Sequence, residues 1–229
     1  MLADSSSKSH PQDRRSSANI TRRDRTKRNR HRLERQITKR QVENILDSLY
    51  HAAHIGLLPT HHITLDWEVA GVADPGAATG QLLKYMKDCA RRHGVQLAHI
   101  WVQEQGRVLG RHVHLLIHIP LKLKNWLQRN LSGWLKRCGA KRKKGVRKTK
   151  KIRGSSSIFS SFEPGSDCYK SNLERLVRYV LKHCDPSAAD TLGRQSSGPT
   201  DVIGKHVSVS QNIGPAARKQ CPSCTCAEG

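Results

Sequence analysis

Two histidines one residue apart mark the segment of the chain that is best suited to bind a metal ion. His112 and His114 flank Val113 within the apolar residues 110–120. Because successive side chains of a β-strand point to opposite faces, both imidazoles are expected on one face and Val113 on the other. Two imidazoles arranged in this way can bind a single divalent ion.

A carboxylate is expected directly opposite this histidine pair. Two apolar runs, residues 95–104 and 111–119, are joined by a short segment with a glycine at each end, which predicts a β-hairpin. A turn centred near Val108 would pair Glu104 with His112. Two imidazoles and one carboxylate can bind Mn, Co, Ni or Zn and tolerate Mg, and they leave open positions for a phosphate oxygen.

A tyrosine on a predicted helix is the candidate nucleophile. Residues 171–184 begin with a capping box, Ser171 with Glu174, and continue as an apolar stripe of helical period. Tyr179 and Lys182 are three residues apart, so they are neighbours on the helix surface. A basic neighbour is expected to lower the cost of forming the phenolate, since free tyrosine titrates near pH 10.

Both features also have a purely structural explanation. A tyrosine at the edge of an apolar stripe is most often a packing residue with its hydroxyl group in water. The histidines can be polar residues on a solvated strand face, because His118 continues their register.

The charge of the chain favours a polyanionic partner. Its 229 residues include 41 Lys and Arg against 18 Asp and Glu, which gives a net charge of +23. Nucleic acid is the leading candidate, and an anionic membrane surface is the alternative. The sequence shows neither a run of about 18 apolar residues nor a secretory signal, so we expect no membrane partner and a cytoplasmic protein, or a nuclear one in a eukaryotic host.

The pattern of elements predicts an α+β fold in four segments. Residues 1–36 are expected to form a disordered basic arm, 37–58 an N-terminal helix, 59–186 the folded domain with a basic and Ser-rich insertion at 140–168, and 187–229 a largely irregular extension. The insertion is either a solvated charge block or a loop that contacts nucleic acid. The residues predicted to bind nucleic acid are Lys141, Arg142, Lys143, Lys144, Arg147 and Lys148, together with Arg175 on the tyrosine helix.

The cysteines indicate reduced thiols rather than disulfides, since four of the seven are widely scattered. The remaining three, Cys221, Cys224 and Cys226, have a spacing that can bind structural zinc if a fourth ligand comes from elsewhere. A disordered tail is the alternative.

Taken together, these motifs resemble the HUH endonuclease superfamily, and within it the rolling-circle replication initiators. The chain is most similar to the single-tyrosine proteins of small plasmids and filamentous phages, including the phage gene II replication proteins. The resemblance extends from about residue 61 to 185, with residues 62–67, 112–116 and 179–182 matching the three family motifs in order.

The resemblance implies a fold and an activity. The fold would be a central antiparallel sheet with flanking helices, a relative of the ferredoxin-like fold, completed by a short strand between Lys144 and Arg153. Tyr179 would attack a phosphate of single-stranded DNA at a replication origin and form a 5′-phosphotyrosine link. Glu104, His112 and His114 would hold Mg or Mn, and Lys182 would orient the tyrosine or stabilise charge. The sequence contains no Walker motif, so a host helicase and polymerase are the expected partners.

Two other functions fit the same sequence. A relaxase or transposase of the HUH superfamily would share the three motifs and differ in its target DNA. A non-enzymatic basic protein would bind nucleic acid through charge alone, with Tyr179 as a packing residue.

Overall fold

A five-stranded sheet is the framework of this chain, whose computed structural model describes residues 33–106, 110–155 and 167–221. Residues 1–32 of the predicted arm lie outside the described residues. The strands are β1 Leu33–Glu34, β2 His61–Asp66, β3 His99–Gly106, β4 Gly110–Ile117, β5 Arg147–Lys151, β6 Val202–Ile203 and β7 Val207–Val209. The helices are α1 Lys39–His54, α2 Pro75–Arg92, α3 Leu121–Arg137, α4 Asp167–Val180, α5 Pro186–Thr191 and α6 Pro215–Lys219, with a 3₁₀ turn at Gln211–Ile213.

The strand order β5-β2-β4-β3-β7 places β4, the strand of the two histidines, at the centre of the sheet. Every neighbouring pair is antiparallel. The predicted α+β class with a central antiparallel sheet is confirmed, and so is the short strand β5. The predicted hairpin register is also confirmed, because Glu104 pairs directly with His112.

The two faces of the sheet carry separate apolar clusters. Residues such as Leu65 and Val113 pack under α2 and α3 on one face, whereas Val102 and Leu116 pack with α1 and α4 on the other. Since side chains alternate along β4, His112 and His114 share the face of Leu116. The histidines therefore lie on the side of the sheet that α4 covers.

Helix α4 differs from its predicted boundaries. It begins at Asp167 rather than at Ser171, so Ser171 and Glu174 lie inside the helix and do not cap it. Tyr169, expected in a loop, is a buried residue of the first turn, and its hydroxyl group donates a hydrogen bond of 2.8 Å to the carbonyl of Pro59.

The same helix ends at Val180 rather than at Cys184. The backbone beyond it pairs with Ile37, whose N–H donates to the His183 carbonyl at 3.0 Å and whose carbonyl accepts from the Asp185 N–H at 2.9 Å. Lys182 and His183 therefore lie in the turn that follows the helix.

The C-terminal segment, expected to be largely irregular, contributes to the central sheet. Strand β7 pairs with β3, and β6 forms a two-stranded ribbon with β1. Within the described ranges, no helix combines the length and apolarity needed to cross a bilayer.

Candidate metal centre and tyrosine site

Glu104, His112 and His114 converge on the α4 side of the sheet. All three side chains are buried, and one ligand atom from each lies within 4.8 Å of the other two. The Nε2 atoms of His112 and His114 lie 3.6 Å and 3.4 Å from the same carboxylate oxygen, Glu104 Oε2. The cross-strand register of β3 and β4 produces this convergence, because Glu104 and His112 are direct partners.

The other ring nitrogen of each histidine is held by a neighbour. His112 Nδ1 lies 3.0 Å from the backbone carbonyl of Gly110, and His114 Nδ1 lies 3.1 Å from Nε2 of His62 on β2. A carbonyl oxygen can only accept, so the proton of neutral His112 resides on Nδ1 and its Nε2 lone pair points toward Glu104. Contacts of this kind fix the ring orientation of metal-binding histidines.

Two residues of the turn after α4 hold the Glu104 carboxylate. Lys182 Nζ donates to Glu104 Oε2, and His183 Nε2 lies 3.3 Å from Glu104 Oε1. The Nδ1 atom of His183 lies 2.9 Å from the Gly198 carbonyl, so both of its ring nitrogens face oxygen atoms. His183 thus connects the carboxylate to the C-terminal segment.

The charges of the cluster shift the pKa values of its members. Burial alone would raise the pKa of Glu104, but the interactions with His112, His114, His183 and Lys182 outweigh it and hold that pKa well below its ordinary value. Burial also opposes protonation of His112, yet Glu104 raises the pKa of this ring. For His114, burial prevails and the pKa is lowered.

The donor set fits a divalent cation. His114 Nε2 is buried and has no hydrogen-bond partner, although it points at a carboxylate that also carries lone pairs. Converging acceptor atoms in a buried place need a cation, and the Lys182 ammonium group supplies one to Glu104 Oε2 but leaves His114 Nε2 without a partner. Two imidazoles and a carboxylate suit a divalent ion that retains open coordination positions. This is the only such group among the residues that the structure describes.

Tyr179 lies beside this cluster. Its ring centroid is 5.3 Å from that of His114 at an interplanar angle of 67°, and the side chain is exposed on its outer side. Lys182 Nζ lies 4.7 Å from the Tyr179 ring centroid. The structure therefore brings together all five residues predicted for the catalytic and metal sites.

The pKa of Tyr179 is not lowered in the described structure, although Lys182 lies beside its ring. Burial, together with the negative charge of Glu104, raises the pKa of Tyr179. The ammonium group of Lys182 donates to Glu104, so its charge is already balanced by a carboxylate.

The residues predicted to bind nucleic acid are divided between the two sides of the sheet. Lys148 is exposed and pairs with Thr64, so it shares the face of the Glu104/His112/His114 cluster. Arg175 is exposed on α4, one turn before Tyr179. The other five line a cleft beside α3 on the opposite side; they are Lys141, Arg142, Lys143, Lys144 and Arg147.

His62 belongs to the first of the matched motifs but was not among the three predicted metal ligands, and His183 had no predicted role. His62 lies 52 residues before His114 in the chain, and no local pattern relates them. The alternating strand at residues 61–66 was the available signal, since it places His62 and Thr64 on one polar face. His118 does not join the cluster, because its Nδ1 bonds the Leu58 carbonyl at 2.9 Å.

The zinc prediction falls largely outside the described residues, which include Cys221 but neither Cys224 nor Cys226. Cys89, Cys138, Cys168 and Cys184 are free thiols, in agreement with the reduced state expected from their spacing.

Comparisons of this chain with protein-family models, with curated proteins and with solved structures found no match.

Proposed function

We propose that this protein is a metal-dependent endonuclease of the HUH type, which nicks and rejoins single-stranded DNA at an origin and initiates rolling-circle replication of a phage or plasmid. The observation that carries the proposal is the contact between an exposed tyrosine and a buried His/His/Glu group. A packing tyrosine has no need of such a neighbour, whereas a nucleophile acting on a phosphate needs an electrophilic centre beside it.

The buried group would hold the metal. Glu104 Oε2 and the Nε2 atoms of His112 and His114 would ligate Mg or Mn, which when bound would polarise a phosphodiester and offset its developing charge. His62 and the Gly110 carbonyl hold the two rings in place. His183 holds the second carboxylate oxygen and so leaves Oε2 directed at the histidines.

Tyr179 would supply the nucleophile. Its Oη forms a bond to phosphorus while the bond from phosphorus to the 3′ oxygen breaks, which leaves a 5′-phosphotyrosine and a 3′ oxygen that takes up a proton. The phenolic proton must leave during attack, and the raised pKa of Tyr179 opposes this loss. Lys182, above the ring and next to Glu104, is the cation placed to stabilise the phenolate as it forms.

Other proteins would carry out the remaining steps. A host polymerase would extend the free 3′ hydroxyl group, and a host helicase would separate the strands. A relaxase or transposase would use the same residues on a different target, so the identity of the DNA distinguishes these functions.

The test is to detect a covalent adduct between the protein and DNA. The protein is incubated with a library of single-stranded oligonucleotides and Mn²⁺ or Mg²⁺, and the DNA-linked protein is isolated and digested for mass spectrometry. We expect the adduct on the peptide that contains Tyr179, and none with Tyr179→Phe, because only the attacking oxygen is removed. Tyr50→Phe is the matched control, since Tyr50 is similarly exposed but lies on α1.

Two outcomes would contradict the proposal. An adduct on another residue, or undiminished cleavage by Tyr179→Phe, would exclude Tyr179 as the nucleophile. Tight DNA binding without any adduct in either metal would instead favour the non-enzymatic basic protein.

A further inference from the structure

A cationic cleft lies on the side of the sheet opposite the metal centre. Its volume is about 850 Å³, and it is lined by α3 and by the segment that leads into β5. The cations on its walls are Lys136, Lys141, Arg142, Lys143, Lys144 and Arg147. No acidic residue occurs among the described residues that line it. One guanidinium nitrogen, Arg147 Nη1, is buried without a hydrogen-bond partner, so the cleft is suited to a polyanion.

The cleft continues along β5. A second cavity of about 500 Å³ shares Arg147 with the first and lies between α3 and the edge of the sheet. Besides Arg147, its walls carry the cations Lys124 and Lys151, and again none of the described lining residues is acidic. The two cavities are in contact with the same Arg147 side chain, and together they are called the groove here.

Strand β5 carries lysines on both of its faces. Lys148 pairs with Thr64 and Lys150 with His62, so these two lysines point to the side of the metal centre. Arg147 and Lys151 alternate with them and point into the groove. Because β5 is an edge strand, a cationic surface continues from the metal centre, around the edge of the sheet, into the groove.

We infer that single-stranded DNA bound at the metal centre passes around β5 and lays its phosphates in this groove. The inference rests on the proposed function, since it extends the path of the same strand. A strand that turns around the edge of one sheet must reverse direction within a few nucleotides. Duplex DNA has a persistence length of about 50 nm and cannot turn so sharply, whereas a single strand can.

The test compares two charge-reversal variants of the full-length protein. Lys143→Glu with Lys144→Glu alters the cleft, and Lys84→Glu with Lys87→Glu alters exposed lysines of α2 by the same total charge. Binding of fluorescent oligo(dT) of 6 and 20 nucleotides, and of a 20-base-pair duplex, is measured across a salt series. Vesicles containing phosphatidylserine serve as a further probe.

We expect the cleft variant to lose two phosphate contacts with the long single strand. The negative slope of log K against log salt should then become shallower by about 1.4, since each contact with a single strand contributes about 0.7 to its steepness. The 6-mer, which offers fewer phosphates than the 20-mer, should show a smaller change in slope. The α2 variant should keep the slope of the unmodified protein.

Three results would overturn the inference. These are an equal loss of slope in the α2 variant, an equal loss with the 6-mer, and a loss confined to the duplex or to the vesicles. Adduct formation with a short oligonucleotide is scored in parallel. If the adduct forms normally but the slopes do not differ, the path around β5 fails while the proposed function stands. If no adduct forms but the slopes differ as expected, the proposed function fails while the path of the strand around β5 stands.

Discussion

Replacing His62 should weaken metal binding although His62 is not a ligand. Its Nε2 lies 3.1 Å from Nδ1 of His114, and burial lowers the pKa of His62 to about 4. His62 is therefore neutral at pH 7 and can accept the Nδ1 proton of His114, which leaves the His114 Nε2 lone pair directed at Glu104. His62→Met removes the acceptor and keeps a similar volume.

The size of the effect follows from this one hydrogen bond. The loss of an outer partner of a metal-bound histidine costs about 10- to 100-fold in metal affinity, or about 1.4 to 2.7 kcal/mol. His62→Gln should recover most of this loss, because its amide oxygen can reach the position of Nε2. Affinity for Mn²⁺ is measured by calorimetry and by electron paramagnetic resonance, without DNA.

The comparison of the two variants separates positioning from general damage. Urea unfolding of both should give similar midpoints, since both side chains fill the same space on β2. If His62→Met binds Mn²⁺ as tightly as the unmodified protein, the contact does not orient His114. If His62→Gln is as weak as His62→Met, hydrogen bonding is not the cause.

Two further predictions concern stability. Tyr169→Phe removes the buried hydrogen bond to the Pro59 carbonyl and should lower the free energy of unfolding by about 1 kcal/mol in urea titrations. Adduct formation should be unaffected. An unchanged unfolding midpoint would contradict this hydrogen bond. Burial lowers the pKa values of His61 and His206 to about 4, so their neutral forms stabilise the fold above pH 6.5 and this stability is lost as the pH falls towards 4. When the pH is lowered from 7.5 to 5, each of these two histidines should reduce the free energy of unfolding by about 2 kcal/mol. His206→Leu should therefore flatten the pH dependence of the unfolding midpoint. A pH profile equal to that of the unmodified protein would refute the lowered pKa of His206.

The candidate metal-binding group could be predicted because its geometry is local. Glu104 and His112 belong to one hairpin, and a short connection with glycine at both ends fixes the register of its strands. The alternation of a strand then adds His114. Three candidate ligands follow from two local rules, without knowledge of the rest of the fold.

The supporting residues could not be predicted, because the fold brings them from distant parts of the chain. His62 comes from another strand, and His183 is placed by the backbone pairing of Ile37 with the turn after α4. That pairing also ends α4 early, against the apolar pattern, which continues to Leu181. Strand β7 escaped prediction because its three residues are too short for a periodic signal.

The placement of the basic segment could be predicted only in part. Residues 141–153 look like a single charge block in the sequence. The start of β5 at Arg147 assigns alternate residues to opposite faces, so Lys148 and Arg147 diverge although they are adjacent. The division follows from strand geometry, but only once the boundary of the strand is known.

The most direct test of the metal centre is anomalous diffraction from crystals soaked in Mn²⁺, recorded on both sides of the manganese absorption edge. We expect one strong peak about 2.0 to 2.3 Å from Glu104 Oε2 and from the Nε2 atoms of His112 and His114, with the Lys182 ammonium group displaced from the carboxylate. A soaked crystal with no peak at these three atoms, or with its strongest peak elsewhere, would contradict the assignment of the metal to this site.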